Sequence, residues 1–136
     1  MMDCIFCKIA AGHIPSVKIY EDENVLAFLD IGPLSEGHTL IIPKKHYAKV
    51  DECPAEMMSQ VGAVLPKVAK AVFGGMESEG YNVLCNNGRA SGQLVEHIHF
   101  HIIPRNAGDG VFTQWPAKQY PAGKIEEIAK KIRAKL

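Results

Sequence analysis

Apolar residues in the first half of the chain recur with the short periods of extended strands. Residues 17–20 alternate with period two, and the polar run 21–24 is typical of a turn into the apolar stretch 25–29. A connection rich in Gly, Pro and Ser at 30–37 leads into a third apolar stretch at 38–43. These segments predict three strands joined by short connections.

Other stretches have helical spacing. A short helix is expected at 5–11, and a longer one runs from Pro54 to about residue 73, where Gly74 and Gly75 are expected to end it. Pro66 lies inside that helix and predicts a kink. An amphipathic helix is expected at 124–136, with three isoleucines on one face: Ile125, Ile128 and Ile132.

Two further strands are expected at 81–85 and 95–104, which brings the predicted total to five. Strands and helices are mixed and their connections are short. The pattern therefore predicts an α+β fold with a five-stranded antiparallel sheet, one long helix and a C-terminal helix.

Length and charge narrow the function classes. A chain of 136 residues predicts one domain spanning 1–136, with a core at about 3–105 and a C-terminal tail and helix at 106–136. Fifteen basic and fifteen acidic residues cancel, which argues against nucleic-acid binding. No apolar window is long enough for a membrane span, and the N-terminus lacks a basic leader region, so a cytoplasmic protein without membrane attachment is expected.

The four cysteines fall into two groups. Cys53 and Cys85 stand alone, whereas Cys4 and Cys7 form a C-x-x-C pair. In a chain with no export signal, such a pair indicates metal or thiol chemistry more than a disulfide.

The run from Glu96 to Pro104 carries the most chemical information. His97, His99 and His101 alternate with apolar residues, so on a strand their imidazoles would share one face. An open face lined by imidazoles would titrate near neutral pH and would suit either a metal or a phosphate. Incidental surface histidines are the plain alternative, and strict alternation of three makes it weak.

The same residues resemble the signature of the histidine-triad family of nucleotide hydrolases. Similar landmarks occur in the family's order along roughly residues 3 to 105: Cys4-Ile5-Phe6-Cys7-Lys8-Ile9, Ile14-Pro15, Tyr20-Glu21-Asp22, Leu26-Ala27-Phe28-Leu29-Asp30-Ile31, Gly37 to His46, and Gly92-Gln93. The resemblance implies the family's fold and an enzyme that cleaves phosphorus bonds in purine nucleotides.

The resemblance also implies catalytic roles. His99 would attack phosphorus and form a transient nucleotidyl-histidine, with the backbone carbonyl of His97 accepting its other ring proton. His101 would donate to a phosphate oxygen, and His38 would approach the same cluster. Nucleotide contacts are implied for seven further residues: Asp30, Asn86, Gln93, Ile5, Phe6, Phe28 and Leu29.

The N-terminal cysteine pair resembles that of zinc-containing members of the family. By that resemblance the four ligands would be Cys4, Cys7, His46 and His97, and a closed set of this kind serves structure. A structural zinc and no organic cofactor are therefore expected. Two reduced thiols beside the core remain the alternative.

The resemblance further implies a homodimer and a nucleoside phosphoramidase. Leu94 departs from that branch, whose close members carry a hydroxyl residue there. A dinucleoside polyphosphate hydrolase therefore stays open, as does a nucleotide- or zinc-binding regulatory protein with little turnover. Trp115, in the tail, is expected either to contact the leaving group or a partner subunit, or to anchor the tail by packing.

Overall fold

The computed structural model describes residues 3–112 and 114–136, so Met1, Met2 and Thr113 of the predicted domain lie outside it. The described residues form three α-helices and five strands, in this order: α1 (Ile5–Ala10), β1 (Lys18–Glu21), β2 (Val25–Leu29), β3 (Thr39–Pro43), α2 (Ala55–Met76), β4 (Gly80–Cys85), β5 (Phe100–Arg105) and α3 (Lys124–Arg133). The predicted α+β fold is confirmed.

The sheet is antiparallel throughout and has the order β1-β2-β3-β5-β4. β5 is therefore an interior strand, between the central strand β3 and the edge strand β4. In this register Leu40 of β3 is paired with His101 of β5. The third and last strands are thus neighbours, which is how His38, just before β3, comes beside the histidine run.

Each face of the sheet is closed by a different helix. The face toward α2 holds the larger apolar cluster, whose buried members are Val25, Ala27, Ile41, Val61, Val64, Val68, Ala69, Val72 and Ile102. The opposite face packs against the six-residue helix α1 through a second cluster, formed by Phe6, Ile9, Leu26, Phe28, Leu40 and Ile42. Neighbouring residues of β2 and β3 alternate between the two clusters, as the period of a strand requires.

Helix α2 is longer than predicted. It continues without interruption through Pro66 and through Gly74–Gly75, and it ends at Met76. Glu77, with φ of 51°, adopts the left-handed conformation that closes the helix. The prediction that the glycine pair ends the helix was wrong because glycine only weakens a helix, by about 1 kcal/mol, and packing on the sheet outweighs that cost.

The C-terminal segment contrasts with the rest. The predicted amphipathic helix is confirmed as α3, but none of its residues is buried. Ile125 is 56% and Ile132 61% exposed. Within 3–112 and 114–136, no helix has the length and apolar content needed to cross a membrane.

Candidate active site and metal centre

The histidine run is not a strand along its whole length. β5 begins only at Phe100, because the His97 amide bonds to the Val95 carbonyl at 2.9 Å and the Ile98 amide to the Tyr47 carbonyl at 2.8 Å. The prediction that one strand runs through all three histidines was therefore wrong, although the ring of Phe6 still meets those of both His97 and His99, at centroid distances of 5.9 and 5.0 Å. The rings of His99 and His101 do lie together, with centroids 4.9 Å apart, whereas His97 faces His46 at 5.0 Å.

His99 is buried and its ring is fixed by one hydrogen bond. Its Nδ1 lies 2.7 Å from the backbone carbonyl of His97, so Nδ1 carries the proton and donates it. Burial lowers the pKa of His99, which keeps the ring neutral at neutral pH. The remaining nitrogen, Nε2, therefore holds a free lone pair, which is the form a nucleophile needs.

His38 and His101 form a second chain of hydrogen bonds. The Leu34 amide donates to Nδ1 of His38 at 3.0 Å, which leaves the proton of His38 on Nε2. That Nε2 donates to Nδ1 of His101 at 2.8 Å, so the proton of His101 lies on its own Nε2. This last N–H is buried and has no partner among the described residues, and it is a donor ready for a ligand.

Asp30 lies next to this chain, with Oδ2 3.7 Å from Nε2 of His38. Burial lowers the pKa of His38, so at neutral pH this approach is not an ion pair. A metal ion between Asp30, His38 and His101 is disfavoured because the two facing ring nitrogens of His38 and His101 already bond to each other.

The imidazoles do not form the open, titrating surface that the sequence predicts. His97 is fully buried and His99 is 5% exposed. Burial, with a smaller contribution from the neighbouring imidazoles, lowers the pKa of His97 and of His101 to about 4. The imidazoles of the cluster are therefore neutral at neutral pH. The hydrogen bonds place the single ring proton of each on one nitrogen.

A cavity of about 320 Å³ lies against this cluster. His99 and His101 line one part of it, and most of the remaining wall is apolar. Five residues predicted to contact the nucleotide line this cavity: Ile5, Phe6, Phe28, Leu29 and Asp30. Phe6 also meets the ring of His99 edge-on, with centroids 5.0 Å apart, so α1 forms a wall of the cavity and packs on the histidine cluster.

Two predicted nucleotide contacts lie elsewhere. Gln93 is buried, and its side chain joins two loops by accepting from the Gly88 amide and donating to the Ala48 carbonyl, both at 2.7 Å. Asn86 follows β4, beside Gly92. Neither residue lines the cavity, and their contacts with a nucleotide stay predictions.

The four predicted metal ligands come together. Sγ of Cys4 lies 3.4 Å from Nδ1 of His97, and Sγ of Cys7 lies 3.3 Å from Nδ1 of His46 and 3.6 Å from Nδ1 of His97. Zinc–sulfur and zinc–nitrogen bonds at tetrahedral angles give S···N edges of about 3.5 Å. The donor set and its spacing therefore fit a tetrahedral zinc ion.

His97 connects the four candidate metal ligands to His99. Its Nε2 donates to the Pro43 carbonyl at 2.7 Å, so Nδ1 turns an unprotonated lone pair toward the two thiols. Its backbone carbonyl holds His99. The side chain of His97 thus belongs to the candidate metal ligands, and its main chain supports the histidine cluster.

The roles of several contributors to the site were not predicted from the sequence. The Leu34 amide and the Pro43 carbonyl assign ring protons through the main chain, which leaves no signal in residue type. Gly37, with φ of +89°, precedes His38, and a Cβ there would lie 2.5 Å from Cγ of Met76. Only glycine fits that position, and the Gly-His pair in the sequence is its one visible signal.

Comparison with known proteins identifies the family. The HIT domain model matches residues 11–108. The protein named adenosine 5'-monophosphoramidase hnt1 from Schizosaccharomyces pombe is 45% identical over 136 residues, which cover 99% of each chain. The chain therefore belongs to the HIT domain family.

Solved structures agree with this assignment. The crystal structure of a HIT family member from Bacillus subtilis superposes with a TM-score of 0.93 at 44% identity, covering 98% of this chain and 97% of the other. A Zn-bound histidine triad family protein from Mycobacterium smegmatis superposes with a TM-score of 0.76 at 38% identity, covering 98% of each. The predicted family and fold are confirmed.

Proposed function

We propose that this protein hydrolyses the P–N bond of purine nucleoside phosphoramidates, releasing a nucleoside monophosphate through a nucleotidyl-histidine intermediate on His99. The observation that carries the proposal is the buried, neutral His99, held in one tautomer beside a cavity of nucleotide-binding size. The named activity of the yeast relative supports the substrate class.

In the first step Nε2 of His99 attacks phosphorus, the N–P bond forms, and the P–N bond to the leaving amine breaks. The amine leaves after taking up a proton from solvent. Nδ1–H of His99 remains hydrogen-bonded to the His97 carbonyl, so the positive charge that develops on the ring is stabilised by that oxygen. The unpartnered Nε2–H of His101 donates to a phosphoryl oxygen.

In the second step water attacks phosphorus and the bond to His99 breaks. The water proton passes to solvent, and the ring returns to its neutral tautomer. His38 fixes the donor face of His101 and is a positioning residue. The base is held by four apolar side chains: Ile5, Phe6, Phe28 and Leu29. The ribose is held by Asp30. At the phosphate end the contributors are Asn86 and Gln93.

Zinc is proposed at Cys4, Cys7, His46 and His97, where a closed set of four ligands leaves no open position for substrate. Zinc bound there would serve structure and would supply no reacting group. Cys4 and Cys7, sharing that ion with His97, would tie α1 to the residue whose carbonyl holds His99.

A cytoplasmic homodimer is also proposed. Of the described strands, β4 lies at a sheet edge, and Tyr81 and Val83 on it are each 42% exposed beside the partly exposed Phe73. An edge strand with exposed apolar side chains favours pairing with a second copy. Trp115 is 93% exposed among the described residues of its own subunit, which favours the prediction that it contacts the leaving group or a partner subunit over the packing alternative.

The proposed function is tested by turnover of an adenosine phosphoramidate and a diadenosine polyphosphate side by side, with wild type and His99→Ala. Faster cleavage of the phosphoramidate, lost in the variant, supports the proposal. Faster cleavage of the polyphosphate moves the protein to the other hydrolase branch. AMP binding without turnover of either substrate would indicate a binding protein.

A further inference from the structure

The hydroxyl of Ser16 is a polar group in a mostly apolar part of the cavity wall. Its Oγ is buried and has no hydrogen-bond partner among the described residues, and Ser16 lines the cavity that also holds His99 and His101. Buried polar atoms in folded proteins are nearly always paired. A hydroxyl in this position is therefore suited to a partner that enters the cavity.

The polar side chains of the cavity are unevenly distributed. Asp30, His99 and His101 belong to the group around His38, where phosphorus chemistry and ribose binding are proposed. Ser16 is the remaining lining residue with a polar side chain, and it comes from the connection between α1 and β1. Its neighbours in that connection, Ile14 and Pro15, line the same wall and are apolar.

We propose that the Ser16 hydroxyl hydrogen-bonds to the polar edge of the nucleobase and so contributes to the binding of the base. This inference rests on the proposed nucleotide substrate. A base that enters an apolar slot loses its hydrogen bonds to water, and a site that replaces one of them gains affinity. Because a hydroxyl both donates and accepts, Ser16 serves adenine and guanine alike.

The structure offers a matched control in Ser78. Its Oγ is also buried and without a partner among the described residues, but Ser78 does not line the cavity. Neither Ser16→Ala nor Ser78→Ala removes a hydrogen bond from the free protein. Both variants are therefore expected to keep the thermal midpoint of wild type.

The test is calorimetric titration of wild type, Ser16→Ala and Ser78→Ala with AMP, GMP and, by competition, ribose 5-phosphate. Ser16→Ala is expected to weaken AMP and GMP about 3- to 10-fold and to leave ribose 5-phosphate unchanged. Ser78→Ala is expected to change none of the three. For the phosphoramidate substrate, Ser16→Ala is expected to raise KM with kcat retained.

Unchanged affinity for both purine nucleotides in Ser16→Ala overturns the inference, as does an equal loss for ribose 5-phosphate, which would place the hydroxyl on the sugar. A wild type that fails to bind AMP overturns it as well. Purine binding that depends on Ser16 in a protein without turnover supports the inference and refutes the proposed hydrolase. The two failures are thus distinguishable.

Discussion

The two faces of the sheet bury similar apolar side chains but are closed in different ways. Against α2, a 22-residue helix, the buried side chains of the cluster are all aliphatic, and Tyr20 packs against them only partly buried. Against α1, which has six residues, the packing gives way to buried imidazoles, a cavity and a group of four metal ligands. One face is closed by continuous packing, and the other gives up apolar packing for the candidate active site and for the four residues that could hold a metal ion beside the short helix.

The largest expected effect separates the faces by activity. His99→Ala is expected to lower kcat by at least about 10⁴-fold, because it removes the proposed nucleophile, while the folded protein persists. The control is His13→Ala, since His13 is exposed and outside the cavity. Steady-state kinetics and thermal unfolding of both variants check this. Comparable losses in the two variants would contradict the assignment.

Ile41 and Ile42 offer a matched pair on adjacent positions of β3. Both are fully buried, Ile41 in the cluster against α2 and Ile42 in the cluster against α1. Each change to Ala is expected to lower the free energy of unfolding by about 2–5 kcal/mol. Only Ile42→Ala is expected to weaken AMP binding as well, since Phe6 and Phe28 of its cluster line the cavity.

Denaturant unfolding and AMP titration of these two variants measure that difference. Equal losses of AMP affinity would mean that the two faces are not separable, and the comparison would fail.

Metal loss is expected to act on the α1 face. Cys7→Ser is expected to weaken zinc binding by at least about 100-fold and to lower the thermal midpoint. A chelator should then lower the midpoint of wild type and leave that of the variant unchanged. Cys53→Ser, at a half-buried thiol outside the metal group, is the control. Metal analysis that finds wild type and Cys7→Ser equal would refute the site.

The smallest effect is expected outside both faces. Asp109 accepts hydrogen bonds from Arg105 at 2.8 and 3.0 Å, and this guanidinium holds the pKa of the carboxyl well below its usual range. A lowered folded pKa stabilises the protein above the ordinary pKa of aspartate, near 4. Asp109→Asn is therefore expected to lower the thermal midpoint slightly at pH 7. The two midpoints should converge as the pH falls below 4, and a constant difference down to pH 2 would contradict this.

The fold was largely predictable because periodicity reports burial. β2 was predicted with the bounds it has. The placement of β5 between β3 and β4 could not be predicted, because no local pattern encodes which strands pair. The start of β5 was misjudged because the bond between Ile98 and the distant Tyr47 carbonyl overrides the alternation of His97 to His101. Tertiary contacts determine both the sheet order and the start of β5.

The site was predictable where it depends on side chains. Cys4, Cys7, His46 and His97 come together as the resemblance implied. The neutrality of the imidazoles was not predictable, because it follows from burial. The proton positions were not predictable either, because main-chain groups at residues 34, 43 and 97 set them. Ser16 was missed because an orphaned hydroxyl is visible only in three dimensions.

The central claim is that His99, fixed by the His97 carbonyl, becomes covalently bonded to phosphorus during turnover. The most direct measurement is rapid quenching of wild type with an adenosine phosphoramidate in alkaline denaturant, which preserves a phosphorus–imidazole bond, followed by peptide mass mapping. An adenylyl group on His99 is the expected result. Turnover with no adduct, or with the adduct on His97 or His101, would contradict it.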